Sequence, residues 1–500
     1  MKKITIALAL GCLLLLGGGA FAELCTMDAV PAASLLLPYF EVDLDAAEGT
    51  GINTLFSINN ASAAPAIAHV TVWTDWSIPV LDFDVYLTGY DMQSINMYNI
   101  LANGRIPVTA NPPNESSNPA CGDDGVPPGD DPTGDECSPH GLNPAWDDYV
   151  GAGLDADNFC SQIFPFYNNP LLQGAALTWR QQALTGEVVA DFGSTGCWGA
   201  DHGDATRIAR GYVTVDNVQY CNLDFPSDYG LPREYFGTAL DPDAGTVSNV
   251  NQLWGDYFLV DEPQNFAQGD NLVHIEADPT LTRDNWGTNG YTYYSRYSEF
   301  NATEDYREPL GTTWAARYLQ GGDFDGGTQL VVWRDSTMHE AENITTGYTC
   351  GAPGTSGVGP SWHPMNEFEV VAFNEEEDAV ELCFNIFGGG GVISPPPPVT
   401  EEDPPCFPLE TQKVQVGAGN LVSPFNFGWL YLNLNAGADT LTAPAVYDFD
   451  PNNEEGHASY VSVMHSALGR FSVGMAAIPL TSACSDANPL LVPNWVIPQP

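Results

Sequence analysis

Phe427-Gly428-Trp429-Leu430-Tyr431-Leu432-Asn433-Leu434-Asn435 decides how the rest of the chain is read. Gly428, Leu430, Leu432 and Leu434 alternate with Phe427, Trp429, Tyr431, Asn433 and Asn435, and a period of two separates the faces of a sheet. One face is aliphatic and the other aromatic and polar. Residues 54–58, 66–74, 329–333, 368–373, 460–465 and 471–478 are likewise rich in β-branched and aromatic residues. Turn formers such as Asn59-Asn60-Ala61-Ser62 and Ala467-Leu468-Gly469 separate them, a pattern that antiparallel sandwiches fit best. One helix is expected: Asn169 as N-cap, Pro170 in the first turn, a stripe of Leu172, Ala176, Trp179 and Ala183, and Gly186 just past its end.

Four patterns recur in one order. Tyr39-Phe40-Glu41-Val42-Asp43 returns as Tyr257-Phe258-Leu259-Val260-Asp261, and Val70-Thr71-Val72-Trp73-Thr74-Asp75 as Leu330-Val331-Val332-Trp333-Arg334-Asp335. Asp82-Phe83-Asp84-Val85 is matched by Glu367-Phe368-Glu369-Val370, and Arg210-Gly211-Tyr212-Val213-Thr214-Val215 by Gly469-Arg470-Phe471-Ser472-Val473. The expected fold is therefore all-β: two tandem antiparallel β-sandwich domains of immunoglobulin-like type, with long loop insertions and one or two short helices. Residues 23–225 form the first domain, 226–249 a connector, 250–484 the second domain and 485–500 a tail.

Residues 1–22 read as a signal peptide, with Lys2 and Lys3 before an apolar run and Ala20-Phe21-Ala22 at the cleavage site. The expected product is secreted, extracellular or at the cell surface, with no transmembrane segment, since no later apolar stretch reaches the ~18–20 residues a span requires. Beyond the leader, 12 basic residues face 64 acidic ones, and Lys413 is the only lysine. A counterion-releasing nucleic-acid binder is thereby excluded from the expectation. A cell-surface polymer, a glycan or self-association remain as partner classes. Ten cysteines with no CxxC pair read as disulfides. Cys121 with Cys137 encloses an acidic loop, and Cys383 with Cys406 encloses a Gly- and Pro-rich one.

The stretches Leu35-Leu36-Leu37-Pro38-Tyr39-Phe40-Glu41-Val42-Asp43, 54–76, 82–91, Trp254-Gly255-Asp256-Tyr257-Phe258 and 427–484 resemble a group of exported bacterial β-rich proteins with no established activity. The resemblance implies an exported bacterial origin and transfers no site.

Three features could carry chemistry. Carboxylates with few basic partners need hydration or cations, and calcium takes oxygens from Asp, Asn and carbonyls on loops. Asp448-x-Asp450-x-Asn452 has the opening spacing of such a loop, although Asn453 stands where an EF-hand needs Gly; Asp323-x-Asp325-Gly326 is a shorter version. Calcium is the expected cofactor at Asp448, Asp450, Asn452, Asp323 and Asp325, weighed against solvated turns. Among histidines, His339-Glu340-x-Glu342 lacks the second His of a zincin, His202-Gly203-Asp204 reads as a turn, and His69 and His465 as sheet residues. Twelve tryptophans, including Trp73, Trp76, Trp254, Trp333 and Trp429, could bind sugar rings beside carboxylates or pack a sandwich core. With no catalytic motif, the expectation is a structural or adhesive surface protein, calcium-stabilised and non-catalytic; the rival is a carbohydrate-binding module or glycoside-active enzyme.

Overall fold

The computed structural model describes residues 29–107, 174–187, 196–203, 206–219, 225–226, 235–236, 246–277, 293–294, 305–308, 310–335, 348–349, 365, 367, 369–383, 405–419, 421–434 and 458–480. Ser34–Asp43 forms β1, an almost unbroken apolar run, and it is buried on both faces as such runs are. It lies in a five-stranded antiparallel sheet ordered β11-β1-β7-β3-β4, with β3 at Ala66–Trp73, β4 at Pro79–Leu87, β7 at Ile208–Val218 and β11 at Val273–Ile275. Pairing of β1 with β7 shifts register between Leu37 and Phe40, around Pro38, which has no N–H to give the ladder. Facing this sheet is a second, ordered β10-β9-β2-β5, with β8 also on β2. Its strands are β2 (Ile52–Asn60), β5 (Met92–Asn96), β8 (Leu253–Trp254), β9 (Asp256–Asp261) and β10 (Phe266–Asn271). Leu35, Leu37, Val70, Val72, Val213 and Val215 from one sheet meet Phe56, Ile58, Tyr257 and Leu259 from the other in a single apolar core.

A third sheet runs β16-β15-β18-β12-β21, through Ala379–Leu382, Glu369–Phe373, Phe427–Asn433, Thr313–Leu319 and Ile478–Pro479 in that order. The fourth runs β17-β13-β19-β20, through Thr411–Gln415, Gly327–Arg334, Ser459–Ala467 and Phe471–Ala476. The two share a core of Trp314, Leu330, Val332, Val370, Leu430, Leu432, Val461 and Val463. A two-stranded pair joins β6 (Gly196–Cys197) to β14 (Tyr348–Thr349). Every named strand pair is antiparallel, so the all-β antiparallel expectation holds.

The two core systems touch. In β13, Val331 joins the first core while Leu330 and Val332 join the second. Trp73 and Trp333, the two copies of the Val-Trp-x-Asp pattern, both pack on Tyr212, at ring separations of 5.7 and 5.9 Å. The Tyr-Phe copies lie differently: Tyr39 is in β1, whereas Tyr257 is in β9, hydrogen-bonded to β2 in the facing sheet. Sheet pairing thus crosses residue 250, because β8 to β11 complete the sheets of β1 and β2.

Among the described residues two helices occur. Asn96 caps α1, Met97–Leu101, accepting from the amides of Tyr98 and Asn99. The second, α2, spans Ala175–Thr185 and ends as expected at Gly186, which is left-handed at φ 72°. It starts at Gly174; Asn169 and Pro170 lie outside the described residues. No helix among the described residues is long and apolar enough to cross a membrane.

Burying β1 and its neighbours on both sides creates a polar row. Register places Asp84 of β4, His69 of β3, Asp216 of β7 and Ser34 of β1 side by side. His69 Nδ1 lies 2.9 Å from Asp84 Oδ1. Burial opposes the charge on this imidazole, but Asp84, then Asp82 and Asp216, raise its pKa to about 9. Asp216 accepts from Ser34, from Tyr235 Oη at 2.6 Å and from Tyr294 Oη at 2.8 Å. Arg307, wholly buried, lies 3.4 Å from both Asp216 and Asp305. This network fastens residues 235, 294 and 305–307 to the sheet. Replacing Arg307 by Met strands two buried carboxylates and should cost about 3–5 kcal/mol. Arg207→Met, on the exposed Glu187 pair, should cost at most about 1 kcal/mol. Urea unfolding of the two variants measures the contrast.

Candidate functional site

Two places on this scaffold gather chemistry at the surface. The first is the outward face of the third sheet. Alternation along β18 sends Leu430 and Leu432 to the core and leaves Phe427 and Trp429 exposed, at 45% and 38%. Gly428 is required here, since a Cβ would collide with the Phe373 carbonyl of β15. The close approach lets Phe373 stack on Trp429 at 4.5 Å and 10°. Arg317 of β12 is the register partner of Trp429 on the other side. Further along, Val371 pairs with Tyr431 and with Glu381, and Glu369 with Asn433. Burial raises the carboxyl pKa of Glu369, and burial together with the Glu369 charge raises that of Glu381. The same two causes push Tyr431 up to about 12. The face thus runs from stacked aromatic rings to half-buried carboxyls that hold their protons more readily than usual.

The second place is a cleft of about 730 Å³, within the size range of ligand sites. One wall is Ile52 of β2, Leu259 and Asp261 of β9 and Phe266 of β10; the other is Gln329 of β13, Lys413 and Gln415 of β17, and Met464 and Ser466 of β19. Glu41 of β1 closes it from below. Its carboxylate pairs with Lys413, and Arg210 Nε lies 3.4 Å away. Burial alone would raise the Glu41 pKa; Lys413, then Arg210 and Tyr39, bring it below the ordinary value. Asp261, on the opposite wall, is raised by burial. Two carboxyls in one cleft are therefore driven apart, one firmly ionised and one easily protonated.

The residues singled out from sequence fall in several places. Cys383 and Cys406 form the expected disulfide. Glu367 accepts the Cys406 amide at 2.7 Å, but with both sulfurs bonded to each other this trio has no thiolate for a metal. Arg334, fully buried, donates to the carbonyls of Phe407 and Leu434 and anchors the same region. Asp325 accepts from Arg470 at 3.0 Å and from the Leu468 amide, and Asp323 lies 3.9 Å from Arg470. The chain itself supplies a cation there. Asp448, Asp450, Asn452, Cys121 and Cys137 lie outside the described residues.

His202 pairs with Asp75 at 2.7 Å and His465 with Thr328 at 2.8 Å. Trp73 and Trp333 are core residues and Trp76 is 7% exposed, so they present no ring face to a sugar. Trp254 is 42% exposed, but its neighbour Asp256 accepts from Ser57 at 2.6 Å. Of the five tryptophans named from sequence, Trp429 alone joins exposure to a stacked ring and nearby half-buried carboxyls. The sequence reading missed Phe373, Glu369 and Glu381 as its companions, and Glu41 as the partner of Lys413. A usable signal for Lys413 was its being the only lysine after residue 3. Compared with known families, curated proteins and solved structures, the chain matches none.

Glu41, with its lowered pKa, contributes stability above the ordinary carboxyl value of ~4.3 and loses it as pH falls through the folded value. Lys413→Met removes the main cause of that lowering. Thermal melts between pH 3 and 7 should show a wild-type acid decline that is much shallower in the variant, which is already less stable at pH 7.

Proposed function

We propose that the protein works outside the cytoplasm as a non-catalytic adhesive surface protein that grips glycan chains on the outward face of the third sheet. The observation that carries this reading is the Phe373–Trp429 stack beside Phe427, with Glu369 and Glu381 on the same face. Aromatic rings offer apolar faces to the C–H side of a sugar, while carboxyl groups bond its hydroxyls. Residues 1–22 support export. The finer architecture in this proposal is two immunoglobulin-like sandwiches in tandem, supported by one core for each pair of sheets. Trp429→Ala should weaken binding at least tenfold, about 1.4 kcal/mol, on a glycan array and in polysaccharide pull-downs, with the melting curve nearly unchanged. An unaltered array signal would remove the reading.

Calcium belongs to the same proposal through Asp448, Asp450 and Asn452, since Asp323 and Asp325 already have Arg470. EDTA should then lower the melting temperature and added calcium restore it, because a ligand held only by the folded state stabilises by mass action. Identical melts with and without EDTA would delete calcium from the account.

A further inference from the structure

The cleft between β9–β10 and β13–β17–β19 lies between the two pairs of sheets and does not include Trp429, so the adhesion reading does not use it. Carboxamides make up half of its polar lining, beside Glu41, Asp261, Asp325, Lys413 and Ser466. Gln320, Gln329 and Gln415 enter it; a carboxamide carries two donors and an acceptor without charge, and Gln415 directs its amide donors to the Thr328 and Val416 carbonyls. Gln320 Nε2 is sealed from solvent yet has no hydrogen-bond partner among the described residues. Gln329 shares the cleft face of its sheet with Lys413 and Gln415, facing Asp261 across the gap.

Charge decides which ligand such a lining selects. The ammonium of Lys413 is neutralised by Glu41, so among the described lining residues no free cation is offered to an anion. The whole chain carries a formal charge of −50, a field that repels phosphates, sulfates and uronates. What remains is a polar cleft of about 730 Å³ suited to a chain of hydroxyls.

We infer that this cleft binds an uncharged oligosaccharide, held by Gln320, Gln329 and Gln415 on one wall and Asp261 on the other. Because the walls come from different pairs of sheets, the bound chain ties the two pairs together. It therefore delays unfolding of both.

The test uses the full chain carrying Trp429→Ala, so that the outward face of the third sheet cannot supply the signal. Calorimetric titration is run with cellohexaose, maltohexaose, xylohexaose and mannohexaose, and with hexagalacturonate and a chitosan hexamer as charged controls. At least one uncharged hexamer should bind saturably and raise the melting temperature, and the charged ones should bind at least tenfold more weakly. Gln329→Ala, in which no described hydrogen bond is lost, should lower that affinity at least fivefold; Asp261→Asn should keep it within twofold. Failure of all four uncharged hexamers would overturn the inference. So would charged hexamers binding as tightly, or affinity that survives Gln329→Ala. Loss of glycan-array binding by Trp429→Ala in the separate experiment leaves these outcomes untouched, so the two readings fail independently.

Discussion

Burial of β1 on both faces is the constraint from which the rest follows. A strand covered on one side can turn its polar residues to water, but β1 cannot, so each polar group on it needs an internal partner. Ser34 meets Asp216 and Arg307, while Glu41 meets Lys413 and Arg210. Three of the scarce basic residues are drawn inside by these two positions. Arg334 is drawn in separately, beneath the Cys383–Cys406 loop. With 12 bases against 64 acids beyond the leader, the surface is acidic from the start, and drawing these four inward makes it more so.

The same constraint builds the cleft. Lys413 reaches Glu41 from the fourth sheet, and the pair fixes how closely β17 approaches β1. Above that contact the sheets diverge, with Asp261 on one side and Gln329 on the other.

Much of the sheet structure was legible because alternation is local. Phe427 to Asn433 declares its two faces without reference to any other residue, and β18 is the strand so read. Gly186 likewise marks the end of α2 through its own backbone freedom. The Cys383–Cys406 bridge was legible because only 23 residues separate its ends. Pairing between distant strands was not. Lys413 and Glu41 are 372 residues apart, and no local pattern links them. The Tyr257–Asp261 copy looked like the opening of a second unit, yet its pairing with β2 is set by surface burial and register, which short motifs do not encode. For the same reason Trp429 could be named from sequence, while Phe373, Glu369 and Glu381 beside it could not.

The internal use of basic side chains has a further effect on durability. Proteases that cut after lysine or arginine need those side chains to enter a specificity pocket, and here Arg307 and Arg334 are sealed and Lys413 is clasped. Among the described residues, Arg105, Arg207, Arg317 and Arg470 are the ones left open to such attack. The described residues thus present few places for trypsin-like digestion to begin.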